Sequence, residues 1–491
     1  MTRTNSWNPI STDAFLDDKL NPLEKEKFDL IVIGSGPAGE KGAEEAARFG
    51  KHAALVERAE HLGGAGINTG TVPSKTLRET ALYFSGLGQR GLYGIDYSLK
   101  SGLSVREFMH REHVVVNNER RLITQNIERH QITRVHGTAE LKDSHSIHVS
   151  TANGDKMLTG EIILLATGSA PFHPPDIPFD HKLIFDSDTI LQMRRIPESM
   201  AVLGGGVIGI EYASIFSALG VKVTLIEAHA SILQFVDTEI IEHLIQRLEK
   251  IGLKFILNDH LTSIEAEDGL VHIALQNGGS QKYGSALIAA GRQSNVHGLG
   301  LEGVGIKLGE RGLILVNEQY QTSVPNIYAA GDVIGFPALA ATSMEQARMA
   351  VRHAFDPGYQ EQLSPVLPLA VYAIPEMSMV GMTEDECKAK NIPYLVGRGS
   401  YEDNARGQII GDMSGMIKLI FSPVDKKLLG AHIIGEQASE LIHIASHVMM
   451  SGGSIDEFVR AVYNYPTLAD LYKSAAYDGL ENLEKFRISR E

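Results

Sequence analysis

Apolar residues along this chain fall into short runs that end in glycine. Phe28-Asp29-Leu30-Ile31-Val32-Ile33 leads into Gly34-Ser35-Gly36-Pro37-Ala38-Gly39. An Ala/Glu-rich stretch of helical character follows through Arg48, and a second run, Ala53-Ala54-Leu55-Val56, stops at Glu57. The pattern predicts strand, tight turn, helix, strand. It returns farther on: Met200-Ala201-Val202-Leu203 enters Gly204-Gly205-Gly206-Val207-Ile208-Gly209, a helix with Glu211 and Tyr212 follows, and Val221 to Ile226 ends at Glu227. Three more buried-type runs stop at glycine: Ile162 to Leu165 before Ala166-Thr167-Gly168-Ser169, Ala286 to Ala290 before Gly291-Arg292, and Asn326 to Ala330 before Gly331-Asp332.

Between the repeats the texture changes. Leu103 to Arg129 reads as a helix inserted in the first unit, and Pro171, Pro174, Pro175 and Pro178 mark a linker. From about Pro365 the pattern predicts alternating strands around Ile417-Lys418-Leu419-Ile420-Phe421 and two helical stretches before Asn464-Tyr465-Pro466-Thr467. This is a separate C-terminal α+β domain.

Each repeat has the chemistry of a dinucleotide cradle. Glycines let the backbone approach a pyrophosphate at a helix N-terminus, where free N–H groups and the dipole favour an anion. An acid about 20 residues beyond them accepts hydrogen bonds from a ribose diol. Gly34, Gly36, Gly39 and Glu57 meet this requirement once, and Gly204, Gly206, Gly209 and Glu227 meet it again. Two such units imply two dinucleotides, or one enzyme passing electrons between them. Glu227 favours the 2′-hydroxyl of NAD and repels the 2′-phosphate of NADP. No arginine follows it nearby, so a site that takes both needs Glu227 turned aside or offset by His229.

Composition narrows the function classes. A chain of 491 residues exceeds what one core supports, which implies roughly three or four domains. A formal net charge of -15 argues against nucleic acid or an acidic membrane surface as partner. The single cysteine, Cys387, excludes an intramolecular disulfide or thiolate metal cluster and fits a reducing compartment. No run approaches the roughly 20 apolar residues of a membrane span. The stretch Met1 to Lys27 is polar and acidic, without signal or transit character. Cytoplasmic residence is expected. Glu440, His443 and His447 share helical spacing, but two histidines on one face are read as packing or interface residues, and no metal is expected.

One further stretch carries a resemblance. Gly63-Gly64-Ala65-Gly66-Ile67-Asn68-Thr69-Gly70-Thr71-Val72-Pro73-Ser74-Lys75 resembles the redox-disulfide segment of the flavoprotein disulfide reductases, G-G-x-C-x-x-x-G-C-x-P-S-K. Gly66 and Thr71 stand at its two cysteine positions. Those reductases end in His-Pro-x-x-x-Glu, whose histidine serves the partner subunit's thiolate. Here the stretch is Tyr465-Pro466-Thr467-Leu468-Ala469-Asp470. Loss of both thiols and of the base that serves them is chemically coherent.

The match runs from about Phe28 to Asp478. It implies an α/β fold with two Rossmann-like dinucleotide-binding domains and a C-terminal α+β dimerisation domain. A polar extension (1–27) would precede a flavin domain in two segments (28–172 and 293–364), with a nicotinamide domain (173–292) between them and the dimerisation domain (365–491) last. The resemblance gives FAD to Gly34, Gly36, Gly39, Glu57, Gly64, Thr167, Gly168, Gly331 and Asp332, and the nicotinamide dinucleotide to Gly204, Gly206, Gly209, Glu227 and Gly291. It pairs Lys75 with Glu211 beside the flavin N5, puts Tyr465 in the place of the base, and implies a homodimer or higher homo-oligomer.

Without a disulfide, reduced flavin discharges only to an acceptor from outside. A second nicotinamide gives ping-pong hydride transfer, with NADPH and NAD as substrates. Asn68 to Glu79, Gly331 to Pro337 and Asn464 to Thr467 look like the soluble pyridine nucleotide transhydrogenases. A diaphorase reducing quinones or O₂ uses the same scaffold, and a flavin-holding sensor without turnover is the reading outside enzymology.

Overall fold

The first apolar run forms the strand Lys25–Ile33, three residues longer at its start than the apolar pattern predicts. Lys25, Glu26 and Lys27 pair in parallel with Met157, Leu158 and Thr159 of the long strand Lys156–Leu165. Backbone pairing with a distant strand extends it, and no hydrophobic pattern records that. The computed structural model describes residues 25–86 and 103–489, so most of the expected polar extension lies outside the described residues.

Seven strands make the first sheet. Its order is Thr133–His136, Ala53–Glu57, Lys25–Ile33, Lys156–Leu165, Ser146–Ser150 and Thr138–Leu141, with Ile327–Ala329 pairing Lys156–Leu165 as well. Strands from both ends of the first 330 residues thus close one sheet. The parallel centre is covered on both faces, which is why Leu30, Ile31, Val32, Leu164 and Leu165 are fully buried. Helix Val105–Arg129 ends where the sequence predicts it and begins two residues later, after the cap at Ser104. Its cap is reciprocal: Glu107 N–H donates to the Ser104 hydroxyl, and Ser104 N–H donates to the Glu107 carboxylate.

The second repeat folds into a five-stranded parallel sheet, ordered Lys254–Leu257, Lys222–Glu227, Ser199–Leu203, Ser285–Ile288 and Ile184–Phe185. A two-stranded ribbon, Ser169–Pro171 with Arg292–Ser294, joins the chain's way out of the first sheet to its way back. The C-terminal unit is an antiparallel sheet ordered Leu369–Val371, Met377–Gly381, Leu428–Ile434, Met416–Phe421 and Leu395–Ser400.

The expectation of alternation fails at Met416–Phe421, which is buried at every position, Lys418 included at 1% side-chain exposure. The ammonium of Lys418 lies 2.7 Å from Asp237, 2.9 Å from Glu239 and 2.5 Å from Glu384. Three carboxylates therefore replace water around a charge that would otherwise be expelled from an interior.

One apolar cluster joins all three units. Leu77, Ala81 and Phe108 come from the first, Tyr212, Phe216 and Leu225 from the second, and Val371, Ile374 and Met377 from the third. Each fully buried side chain of this size is worth about 1.5–3 kcal/mol. The cluster fixes how the two dinucleotide turns stand to one another.

Candidate active site

The two glycine turns have the same geometry. Gly34 and Gly204 adopt φ +100° and +110°, and a Cβ there would lie 2.3 Å from the Ala166 carbonyl oxygen and 2.4 Å from that of Ala289. Strand exit and neighbouring strand pass too closely for any side chain. Gly39 and Gly209 are equally constrained, their Cβ positions falling 1.8 and 1.9 Å from the carbonyl oxygens of Gly34 and Gly204. Helices Pro37–Arg48 and Val207–Ala218 follow, capped by Gly36 and Gly206 without side-chain hydrogen bonds. Their first N–H groups are therefore left for an anion.

The acids close the turns. Glu57 Oε2 accepts from Ser35 N–H at 2.9 Å and from the Ser35 hydroxyl at 2.7 Å. Glu227 Oε2 accepts from Gly205 N–H at 2.5 Å. Burial pushes Glu227 up, but hydrogen bonds from Gly205 and His229 outweigh it and hold the carboxyl below its usual range.

A second segment seats against the first turn. A Cβ on Gly64 would lie 2.7 Å from Gly36 Cα, so Gly64 permits this close approach. The short helix Gly64–Asn68 breaks at Thr69 and Gly70, where Gly70 N–H donates to the Ala65 carbonyl at 2.6 Å. Helix Thr71–Ser85 then carries Lys75 to Glu211 on the helix of the second turn. The Lys75 ammonium donates to Glu211 Oε1 at 2.8 Å and Oε2 at 2.7 Å. Side-chain exposures of 27% for Lys75 and 4% for Glu211 leave the lysine as the accessible end.

Sequence reasoning missed the residues that fix this pair. Tyr372 N–H donates to Glu211 Oε1 at 2.9 Å, and the Tyr372 ring centroid lies 4.9 Å from the Lys75 ammonium. Arg78 binds the Ala373 carbonyl at 2.8 Å and lies 3.4 Å from Glu376, tying the lysine's helix to the C-terminal unit. A Pro-Ser-Lys-x-x-Arg spacing was the available signal for Arg78. Tyr372 had none.

The glycine-ended runs also converge. Ser169 donates to Asp332 at 2.7 Å and accepts from Arg292 Nε at 2.8 Å. Gly331 N–H donates to Gln346 at 2.9 Å. The Thr167 hydroxyl is buried without a hydrogen-bond partner, and Cβ atoms placed on Gly168, Gly206 or Gly291 would meet nothing within 4 Å. An orphaned hydroxyl beside open Gly168, and open space at Gly291 and at the uncapped helix end of Gly206, fit bound dinucleotides.

The redox positions hold no sulfur. A Cβ on Gly66 would lie 3.1 Å from Pro37 Cγ, and Thr71 is exposed at the start of its helix. Cys387 is buried on Glu384–Ala389 in the C-terminal unit. Tyr465 is not joined to Lys75 or Glu211 within the chain: it is 77% exposed and makes no hydrogen bond among the described residues. His447 Nδ1 lies 2.8 Å from the His443 carbonyl oxygen, so that ring turns back onto its own helix. No described helix is long and apolar enough to cross a membrane.

Two copies of a dinucleotide turn, one supplying the helix that bears Glu211 and the other backing the segment that bears Lys75, define an oxidoreductase scaffold built for two dinucleotides. The chain belongs to the pyridine nucleotide-disulphide oxidoreductase family, whose model matches residues 28–354, with the family's dimerisation domain matching 367–476. It is 43% identical over 459 residues to the soluble pyridine nucleotide transhydrogenase of Mycobacterium bovis, covering 93% of this chain and 98% of that protein. The soluble pyridine nucleotide transhydrogenase of Photorhabdus laumondii is 39% identical over 460 residues, with coverage of 93% and 99%. Among solved structures, the Cu(II) complex of the HOCl-induced flavoprotein disulfide reductase RclA from Escherichia coli aligns with TM-score 0.84 at 27% identity, over 92% of this chain and 99% of that one. LpdA from Mycobacterium tuberculosis, at 24% identity, TM-score 0.85 and the same coverage, shows the fold alone.

Proposed function

We propose that this chain is an FAD-dependent enzyme that transfers hydride between NADPH and NAD by a ping-pong mechanism without a redox disulfide. The Lys75–Glu211 pair carries this reading: it is intact at 2.7 Å in a chain whose single cysteine lies buried in another unit. The relatives at 43% and 39% identity, both soluble pyridine nucleotide transhydrogenases, support it.

FAD, when bound, supplies the carrier that takes hydride from one nicotinamide and gives it to another. Gly34, Gly39 and Gly64 permit the tight backbone packing of the turn, which with Gly36 would present the free end of Pro37–Arg48 to its pyrophosphate, and Glu57, locked by Ser35, would offer a carboxylate to the ribose. Thr167, Gly168, Gly331 and Asp332 line the rest of that site. With FAD held there, Lys75 would supply a fixed positive charge to offset electron density that accumulates during transfer. Glu211 and the Tyr372 ring hold the ammonium in one position, so little reorganisation is required.

Gly204, Gly206, Gly209, Glu227 and Gly291 would hold the nicotinamide dinucleotide. Among the described residues this is the one dinucleotide turn besides the flavin's own, so donor and acceptor nucleotides use it in succession. Tyr465, exposed on its own chain, would complete the site of the partner subunit in a homodimer. The single buried cysteine and the nucleotide substrates fit residence in the cytoplasm.

Anaerobic stopped-flow on the FAD-loaded protein tests the function. NADPH should bleach the flavin absorbance, and NAD added afterwards should restore it quickly. Recovery with a quinone or O₂ but not with NAD would make the chain a diaphorase instead.

A further inference from the structure

The two dinucleotide turns differ two residues beyond the acid. In the first, Ser35 and the Ala59 N–H, at 2.7 Å, satisfy the Glu57 carboxylate. In the second, Gly205 stands where Ser35 does and His229 where Ala59 does. The His229 N–H donates to Glu227 Oε1 at 2.9 Å, and ring Nδ1 lies 2.5 Å from the same oxygen. The sister copy's carboxylate has a serine hydroxyl on Oε2; here the second side-chain partner is an imidazole on Oε1, and it brings a second nitrogen.

Glu227 is held ionised by these bonds, so Nδ1 carries the proton between them. The His229 side chain is 67% exposed, and Nε2 has no hydrogen-bond partner among the described residues. In the neutral ring Nε2 is a bare acceptor; in imidazolium it is a second donor.

Resting on the transhydrogenase reading, we propose that His229 is the 2′-phosphate contact of the second turn. Its protonated ring bridges Glu227 through Nδ1 and the phosphate through Nε2, so preference for NADP over NAD rises as pH falls. With the ring neutral, the phosphate meets a carboxylate and a lone pair. With it protonated, the pair has no net charge and an N–H points outward. Imidazole is the side chain that changes charge between about pH 5 and 8.

The neighbouring segments leave this choice to the Glu227–His229 pair. Asn258 N–H donates to the His229 carbonyl at 2.9 Å, bringing Asp259 and His260 alongside. Asp259 is committed to the N–H groups of His260, Asn277 and Gly278 at 2.9, 3.0 and 2.7 Å. His260 is exposed. Gly204 to Ile210, the turn and first helical residues, contain no titratable side chain.

The test is the affinity of the FAD-loaded protein for NADP and for NAD, measured by titration calorimetry at about pH 6 and about pH 8.5, either side of the imidazole range. The NADP-over-NAD ratio should rise about tenfold to a hundredfold at the lower pH, the worth of one charge-assisted hydrogen bond. His229→Gln should lose most of that rise, and His229→Arg should show the high ratio at both pH values. The phosphate's own second ionisation lies in the same range, so the deciding quantity is the difference between wild type and His229→Gln. If that variant tracks the wild type at both pH values, the proposal falls. Binding needs no turnover, so failure of NAD to restore the flavin absorbance would sink the transhydrogenase reading and leave this ratio to be judged separately.

Discussion

The ammonium of Lys75 and the carboxylate of Glu211 meet at 2.7 Å across 136 positions of sequence. One rides the segment packed on the first glycine turn, the other the helix that follows the second. The ion pair thereby ties together the segments behind the two glycine turns, with the lysine as its exposed end.

Removing that charge should slow chemistry without emptying the site. Lys75→Met is expected to lower the rate of flavin bleaching by NADPH by about 10²–10³-fold, the usual cost of deleting one preorganised electrostatic donor. Glu211→Gln should fall between that variant and wild type, because Tyr372 N–H still has an oxygen to bind. Single-turnover rates on protein of matched flavin content check this. A Lys75→Met rate within about twofold of wild type would remove the lysine from the mechanism.

Two glycines of the second turn should fail in different ways. A methyl on Gly209 would collide with the Gly204 carbonyl oxygen at 1.9 Å, so Gly209→Ala should lower the melting temperature. Gly206 has open space around its Cβ position, so Gly206→Ala should fold normally and weaken both NAD and NADP by obstructing the pyrophosphate. Thermal unfolding beside nucleotide titration separates the outcomes.

Thr167 tests where the flavin lies. Its hydroxyl is buried without a partner, which costs free energy unless a ligand supplies one. Thr167→Val should weaken FAD by about fivefold to tenfold, the worth of one hydrogen bond, while leaving the apoprotein at least as stable. Equal FAD affinity in the two proteins would place the flavin elsewhere.

Lys418 predicts an acid-dependent weakness. Burial pushes Glu239 up, but Arg398 and Lys418 outweigh it and hold the carboxyl at about 2. An unfolded glutamate titrates near about 4.3, so this contribution is complete above about pH 5 and is lost as pH falls toward the folded value. Lys418→Met would leave Asp237, Glu239 and Glu384 without their shared cation, at a cost of about 3–5 kcal/mol near neutrality. The penalty should shrink at about pH 4, as the uncompensated carboxyls take up protons. Denaturant unfolding at both pH values would show a constant penalty if the cluster were not electrostatic.

What the sequence determined by itself is everything set by close neighbours along the chain. Gly34, Gly39 and Glu57 are legible because strand, turn and helix are consecutive; the Gly34 carbonyl oxygen lies 1.8 Å from a missing Cβ on Gly39, a local contact that repeats at 1.9 Å between Gly204 and Gly209. Gly66 and Thr71 are legible in the same way, as absences at fixed spacing. Tertiary structure decided what meets across distance. Tyr372 reaches Glu211 over 161 positions and Lys418 reaches Asp237 over 181, and no periodicity marks either partner. A strand that looks half-exposed is buried throughout because another unit supplies Asp237 and Glu239, and its own unit Glu384, as the carboxylates its lysine needs. Local steric rules act within a few residues, whereas burial and charge pairing depend on which remote segments pack together.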